Sequence, residues 1–143
     1  MSGARIIAFG GYRPDKVVTN DDLAKIVDTN DEWIRSRVGI ASRRIAADDE
    51  TVTDMAEAAG AKALAASGLT PASIDLVIVA TCTPDVPIPN VAASVAHRLG
   101  ITAPGAYDLN AACAGFCYAI GAASDSVRAG SARHVLVIGA EKL

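Results

Sequence analysis

In the segment DLNAACAGFCYAI, residues 108–120, Cys113 is the side chain of this 143-residue sequence best suited to covalent chemistry. It is flanked by Ala111, Ala112, Ala114 and Gly115, and a second thiol, Cys117, follows four residues later. The segment reads as the hand-over from a strand, AYDLN, to an alanine-rich helix, and functional groups gather at such strand ends. A thiol at a helix N-terminus meets the positive end of the macrodipole and unpaired backbone N–H groups, which favour the nucleophilic thiolate. Small neighbours leave room for a substrate carbonyl, and the Cys113 N–H is placed to help hold the oxyanion formed on attack. The opposing reading is packing, since free cysteine is among the most buried residue types and often fills space in an alanine-rich helix.

A second group is ionic and aromatic. Arg35, Arg37, Arg43 and Arg44 lie within ten residues of one another, beside Trp33, the single tryptophan. An indole stacks on a flat heterocycle, and a guanidinium pairs with phosphate through two parallel hydrogen bonds. The alternative is a solvated charged turn with Trp33 as its core anchor. Metal chemistry is set aside: Cys113 and Cys117 share a helix face, but neither a CxxC pair nor a nearby histidine pair accompanies them. His97 falls within an amphipathic pattern and His134 opens a strand, so both read as structural. Cys82, at the end of another strand, reads as a packed thiol.

These side chains need a frame, and the hydrophobic pattern supplies one. RIIAFGGY reads as a first strand, and NDDLAKIVDTNDEWIRSRVGI as two short helices, the first capped by Asn20. ETVTDMAEAAGAKALAASGL places Val52, Met55, Ala56, Ala59 and Ala63 on one helix face, with Gly68 as the stop. DLVIVAT is continuously apolar, as strands covered on both faces are. PNVAASVAHRLG is the next helix, AYDLN the next strand, the stretch to Gly130 another helix, and HVLVIGA the last strand. This alternation predicts an α/β fold with a mostly parallel sheet and right-handed crossovers. Residues 1–143 read as one domain without linker or low-complexity segment, and the apolar strand near residue 143 implies a further C-terminal part that would cover it.

Composition narrows the function classes. Thirteen basic against sixteen acidic residues give a net charge of −3, and no basic stripe interrupts the pattern, so the reading excludes a nucleic-acid surface. The N-terminal apolar stretch is too short and too interrupted for a signal peptide or membrane span. Three cysteines cannot all pair and lack the spacing of a secreted scaffold, so a reducing, cytoplasmic setting is expected.

DLNAACAGFCYAI resembles the active-site motif of the β-ketoacyl-acyl carrier protein synthase III family, in the thiolase superfamily, and VDTNDEWIRSRVGI resembles that family's coenzyme A-binding segment. The resemblance runs along the whole chain and corresponds to the N-terminal half of a five-layered αβαβα architecture. It implies that Cys113 accepts an acyl group from acyl-coenzyme A and passes it to a carbanion made by decarboxylating malonyl-acyl carrier protein. It assigns Thr29, Trp33 and Arg37 to the nucleotide end of coenzyme A. It places Ile88, in the proline-rich loop TCTPDVPIPN, toward the acyl pocket of the partner in a homodimer, where a phenylalanine often stands in the family, and the smaller side chain leaves more room, so strict selectivity for acetyl primers is not implied. The family's catalytic histidine and asparagine find no match here, are expected in the C-terminal half, and are not supplied by Asn110. No cofactor is implied beyond the coenzyme A thioester substrate, and the 143-residue chain alone is expected to be inactive. Other superfamily members, thiolases, hydroxymethylglutaryl-coenzyme A synthases and polyketide-type synthases, use the same nucleophile, and a non-catalytic half acting in assembly is the remaining alternative.

Overall fold

Strand β1 (Lys16–Thr19) pairs antiparallel with β2 (Ser42–Ile45), with Lys16 opposite Ile45 and Thr19 opposite Ser42. Between them in sequence run helices α1 (Asn20–Leu23) and α2 (Asp31–Val38), the two short helices that the Asn/Asp punctuation predicts. In the computed structural model, which describes residues 3–143, these elements form one compact unit, Arg13–Glu50, and the other described residues form a second.

The cap of α1 corrects the sequence reading. Thr19, not Asn20, accepts the Asp22 N–H, and the Asp22 carboxylate accepts the Thr19 N–H in return. Asn20 cannot serve because its buried amide is occupied by Asp31, Ile40 and Arg43. At the start of α2 Asn30 Oδ1 accepts the Trp33 N–H, and Gly39 ends the helix in the left-handed conformation, φ 72°.

In the larger unit α3 (Val52–Ser67) starts at a reciprocal Thr51–Asp54 capping box and stops at Gly68, φ 70°, where a left-handed backbone favours glycine. Then come β3 (Leu76–Ala80), α4 (Val91–Arg98), β4 (Gly105–Leu109), α5 (Gly115–Ala129) and β5 (Val135–Gly139). The sheet order is β4-β3-β5 and both pairings are parallel, Leu76 lying level with Gly105 and with Val135. The continuously apolar β3 is central, and its Val77, Ile78 and Val79 are fully buried.

Alternation along the strands divides the core between two faces. Ile78 and Ala80 cluster with Ala119 and Ala123 of α5, and Val135 and Val137 pack against them. The other face presents Leu136 and Ile138, level with Val77 and Val79. Here α3 comes so close that a Cβ at Gly60 would lie 2.9 Å from Ile138 Cδ1 and 3.2 Å from Leu99 Cδ1. The fold is thus α/β with a parallel sheet, as the alternation predicts.

RIIAFGGY is not a strand: residues 5–12 carry no ladder. A strand exists only with a partner to exchange hydrogen bonds, and this segment instead crosses α3. A Cβ on Gly10 would fall 2.3 Å from Ala63 N and 2.4 Å from Ala59 O, so backbone meets backbone there. Among the described residues no helix is long and apolar enough to cross a membrane.

Candidate active site

Because the strands are parallel, the segments that follow β3, β4 and β5 emerge at one end of the sheet, where α/β proteins collect ligand chemistry. Two bonds prolong the ladder into them: the Thr81 N–H donates to Leu109 O at 3.1 Å and the Ala140 N–H to Ala80 O at 3.2 Å. Cys113 lies at this end, in a 3-10 turn (Ala112–Ala114) between β4 and α5, and its side chain is exposed. The turn depends on a strained residue. Ala112 has φ 44°, a left-handed conformation that costs an L-residue roughly 1–2 kcal/mol and that recurs where function requires a particular side-chain direction. Sequence patterning has no signal for it beyond the smallness of alanine.

The turn closes through the Ala114 and Gly115 N–H groups, which donate to Ala111 O and Ala112 O, and the Cys113 N–H takes no part in these bonds. The N-cap of α5 is Ala114, which offers no side-chain acceptor, so the first N–H groups of the helix keep their donors free of a side-chain cap. Close packing holds the start of α5 on the sheet. A Cβ on Gly115 would touch Ala80 Cβ at 3.4 Å, and one on Gly139 would meet the Phe116 ring at 3.1 Å. Among the described residues Cys113 is exposed, and Cys117, one turn on, is exposed too.

Cys82 corrects another expectation: it is exposed, not packed. Its strand ends at Ala80, and a polar network replaces the core from there. Glu141 Oε1 accepts the Cys82 N–H at 2.8 Å, while Oε2 accepts the hydroxyls of Thr83 at 2.5 Å and Thr81 at 3.3 Å. The Glu141 carboxylate beside it pushes the Cys82 thiol pKa up, burial adds to this, and the nearby Cys113 contributes in the same direction. Burial works to raise Glu141 itself, but the hydrogen bonds from Thr83 and Cys82 hold it below the usual glutamate value. Sequence reasoning missed Glu141; its place directly after an apolar strand, level with the ends of the others, was the available signal.

The loop between β3 and α4 is held at both ends. Asp85 accepts the Val52 N–H at 2.8 Å and the Thr53 N–H at 2.9 Å, while Asn90 caps α4 through the Ala93 N–H at 2.8 Å. Asp108 accepts the Val91 and Ala92 N–H groups at the same helix start. Between these anchors Ile88 projects with 86% of its surface exposed. Neither histidine shares this end of the sheet. His134 opens β5 at the opposite end, with Nδ1 2.9 Å from Ser73 O, and His97 stands exposed in the last turn of α4. Asn110 is exposed in the turn. No group of three or more potential metal ligands occurs among the described residues.

In the smaller unit α2 carries Trp33 and Arg37 one turn apart. Trp33 is 56% exposed and therefore no core anchor, and the Arg37 guanidinium carbon stands 5.7 Å from the centroid of its ring, within cation–π range. The other three arginines serve the fold: Arg35 pairs with Asp31, Arg43 with Asn20 Oδ1, and Arg44 with the carbonyls of Pro14 and Asp15. Thr29 Oγ1 is buried without a hydrogen-bond partner, the one such side-chain atom among the described residues.

A parallel sheet with helices on both faces and a cysteine turn at its strand ends defines the class: a thiolase-like fold, represented by its N-terminal half. Within that class the chain belongs to the β-ketoacyl-acyl carrier protein synthase III family. Residues 107–143 match the family model for 3-oxoacyl-[acyl-carrier-protein] synthase III. Over 143 residues the chain is 58% identical to β-ketoacyl-[acyl-carrier-protein] synthase III 2 of Streptomyces avermitilis, covering 100% of this chain and 45% of that protein. The crystal structure of 3-oxoacyl-[acyl-carrier-protein] synthase III from Aquifex aeolicus superimposes with a TM-score of 0.95 at 49% identity, covering 99% of this chain and 46% of that one. The priming β-ketosynthase of the R1128 polyketide pathway superimposes at 0.93 with 46% identity, covering 96% and 41%. The chain thus spans less than half the length of these relatives.

Proposed function

We propose that the protein to which this chain belongs starts fatty-acid or polyketide chains by condensation, with Cys113 as the acyl acceptor. The Cys113 sulfur attacks the carbonyl of acyl-coenzyme A, the tetrahedral oxyanion collapses, and coenzyme A leaves as its thiol, so one thioester replaces another. Decarboxylation of malonyl-acyl carrier protein then releases carbon dioxide and a carbanion, which attacks the Cys113 thioester, forms the carbon–carbon bond and expels the cysteine sulfur as 3-ketoacyl-acyl carrier protein departs. The exposed Cys113 on its left-handed turn, in a chain of this family, carries the reading. Thr29, Trp33 and Arg37 take the nucleotide end of coenzyme A, with Trp33 stacking and Arg37 pairing with phosphate. A histidine and an asparagine assist decarboxylation from the C-terminal half, which residues 1–143 do not include. The working form is a cytoplasmic homodimer that needs no metal and no cofactor beyond its thioester substrates. Ile88 reaches toward the partner's acyl pocket, and a smaller side chain than phenylalanine there admits branched or longer primers.

Incubation with acetyl- and isobutyryl-coenzyme A, followed by mass spectrometry of tryptic peptides, tests the first step: the acyl group is expected on the Cys113 peptide and on neither Cys82 nor Cys117. All three thiols are exposed among the described residues, and iodoacetamide is expected to label Cys113 faster than Cys82, whose thiol Glu141 pushes above its ordinary pKa. Acylation at another cysteine, or none at any, overturns the assignment.

A further inference from the structure

Asn20 has no part in the sequence-based site, yet its side chain makes three hydrogen bonds to distant parts of the smaller unit. It is 1% exposed. Its Nδ2 donates to Asp31 Oδ1 at 2.8 Å and to Ile40 O at 2.8 Å, while its Oδ1 accepts from Arg43 Nη2 at 2.7 Å. Asp31 is the first residue of α2, Ile40 follows the glycine that ends it, and Arg43 belongs to β2. One amide therefore grips the helix at its first residue and just beyond its last turn, and ties both points to the strand pair. Asp31 passes the constraint on, accepting Arg35 Nε at 2.7 Å one turn along. The bond from Asn20, with that from Arg35, also holds the Asp31 carboxyl below its ordinary value. A helix of eight residues is too short to hold itself in water, and α2 buries only Ile34, so this polar grip does what a core does elsewhere.

We infer that Asn20 is a positioning residue for the nucleotide end of coenzyme A: by fixing both ends of α2 it holds Trp33 and Arg37 as a ready-made stacking and phosphate-pairing surface. The inference rests on the nucleotide reading given above. Asparagine is specific to this task, because the site needs two N–H donors and one acceptor on a short stem. Aspartate would keep the acceptor for Arg43 and set a carboxylate against Asp31. Preorganisation of this kind raises affinity by removing the ordering cost at the moment of binding.

Trp33 is the only tryptophan, so its emission reports this helix alone. The full chain is titrated with coenzyme A and, separately, with pantetheine, which lacks the nucleotide. Coenzyme A is expected to quench wild-type emission, and the midpoint to rise about tenfold in Asn20→Ala and Asn20→Asp, with pantetheine giving no quench in any of them. Time-resolved anisotropy of the ligand-free variants, taken at a temperature where their circular dichroism still matches wild type, is expected to show faster Trp33 depolarisation, which a loss of global stability alone would not produce in the folded state. Asp31→Asn retains an acceptor for Asn20 and is expected to stay within about twofold of wild type. If coenzyme A leaves wild-type emission unchanged, the nucleotide reading falls. If wild type is quenched and both Asn20 variants match it in midpoint and anisotropy, the positioning role alone is overturned.

Discussion

The Cys113 turn and the Trp33 helix are held in opposite ways. Behind Cys113 stands a sheet whose central strand is buried on both faces, with Ile78 and Ala80 packed against Ala119 and Ala123 of α5 in an apolar cluster. Behind Trp33 stands one buried amide and the groups it bonds, with Ile34 as the only buried apolar side chain of its helix. Apolar burial is non-directional and tolerates substitutions that conserve volume. A hydrogen-bonded node is directional, and losing one member strands the others. The nucleophile is thus placed by many weak contacts, and the proposed nucleotide surface by a few strong ones.

The sharpest way to separate the two regions is to silence one. In the complete enzyme Cys113→Ala is expected to abolish acyl loading and condensation entirely, while quenching of Trp33 by coenzyme A stays at its wild-type midpoint. The 143-residue chain alone is expected to form no 3-ketoacyl product, because on the reading proposed above the donors that stabilise the enolate come from the C-terminal half; a complementing C-terminal fragment should restore it. Robust condensation by the chain alone would mean that a residue described here performs that step.

Stability should show the same contrast. Ile78→Ala removes fully buried volume and is expected to lower unfolding free energy in urea by about 2–5 kcal/mol. Asn20→Ala is expected to cost the smaller unit about 1–3 kcal/mol, read by Trp33 emission, and to leave the larger unit's transition in place. A single coincident transition in both variants would erase the distinction. Ala112→Val puts a β-branched side chain at φ 44° and is expected to lower stability by about 1–3 kcal/mol together with acyl loading, measured on the same samples.

The smallest effect concerns acid. Hydrogen bonds from Thr51 and then Arg98 lower Asp54 from an ordinary 3.8 to about 2. Because its folded value is depressed, the contribution is complete above about pH 4 and is lost as pH falls toward 2. Asp54→Asn is therefore expected to flatten the acid limb of the larger unit's melting profile over that window. An unchanged limb would show that solvent screens this exposed group fully.

The unequal legibility of the two regions in the sequence has the same origin. Periodicity found α3, α4, α5 and the three parallel strands because burial imposes a repeat that composition displays. It placed Cys113 at a strand-to-helix junction for the same reason. Asn20 and Glu141 carry no such repeat, since their partners lie at irregular separations: Asn20 reaches Asp31, Ile40 and Arg43, and Glu141 reaches back to Thr81, Cys82 and Thr83. The strand expected at RIIAFGGY failed on the converse ground, for an apolar run shows that a segment can pair without showing with what. The apolar pattern predicts a packed Cys82 because a thiol after such a strand continues it, whereas the strand ends at Ala80 and burial ends at Thr81.

Gly10 carries a consequence in the language of genetics. Every missense change at its codon introduces a Cβ, and any Cβ there would lie inside the contact radius of Ala63 N and Ala59 O. The neighbouring Gly11 meets nothing within 4 Å. Saturation mutagenesis across this pair should return a narrow permitted alphabet at the first codon and a broad one at the second, two adjacent glycines identical in composition and opposite in their tolerance of drift.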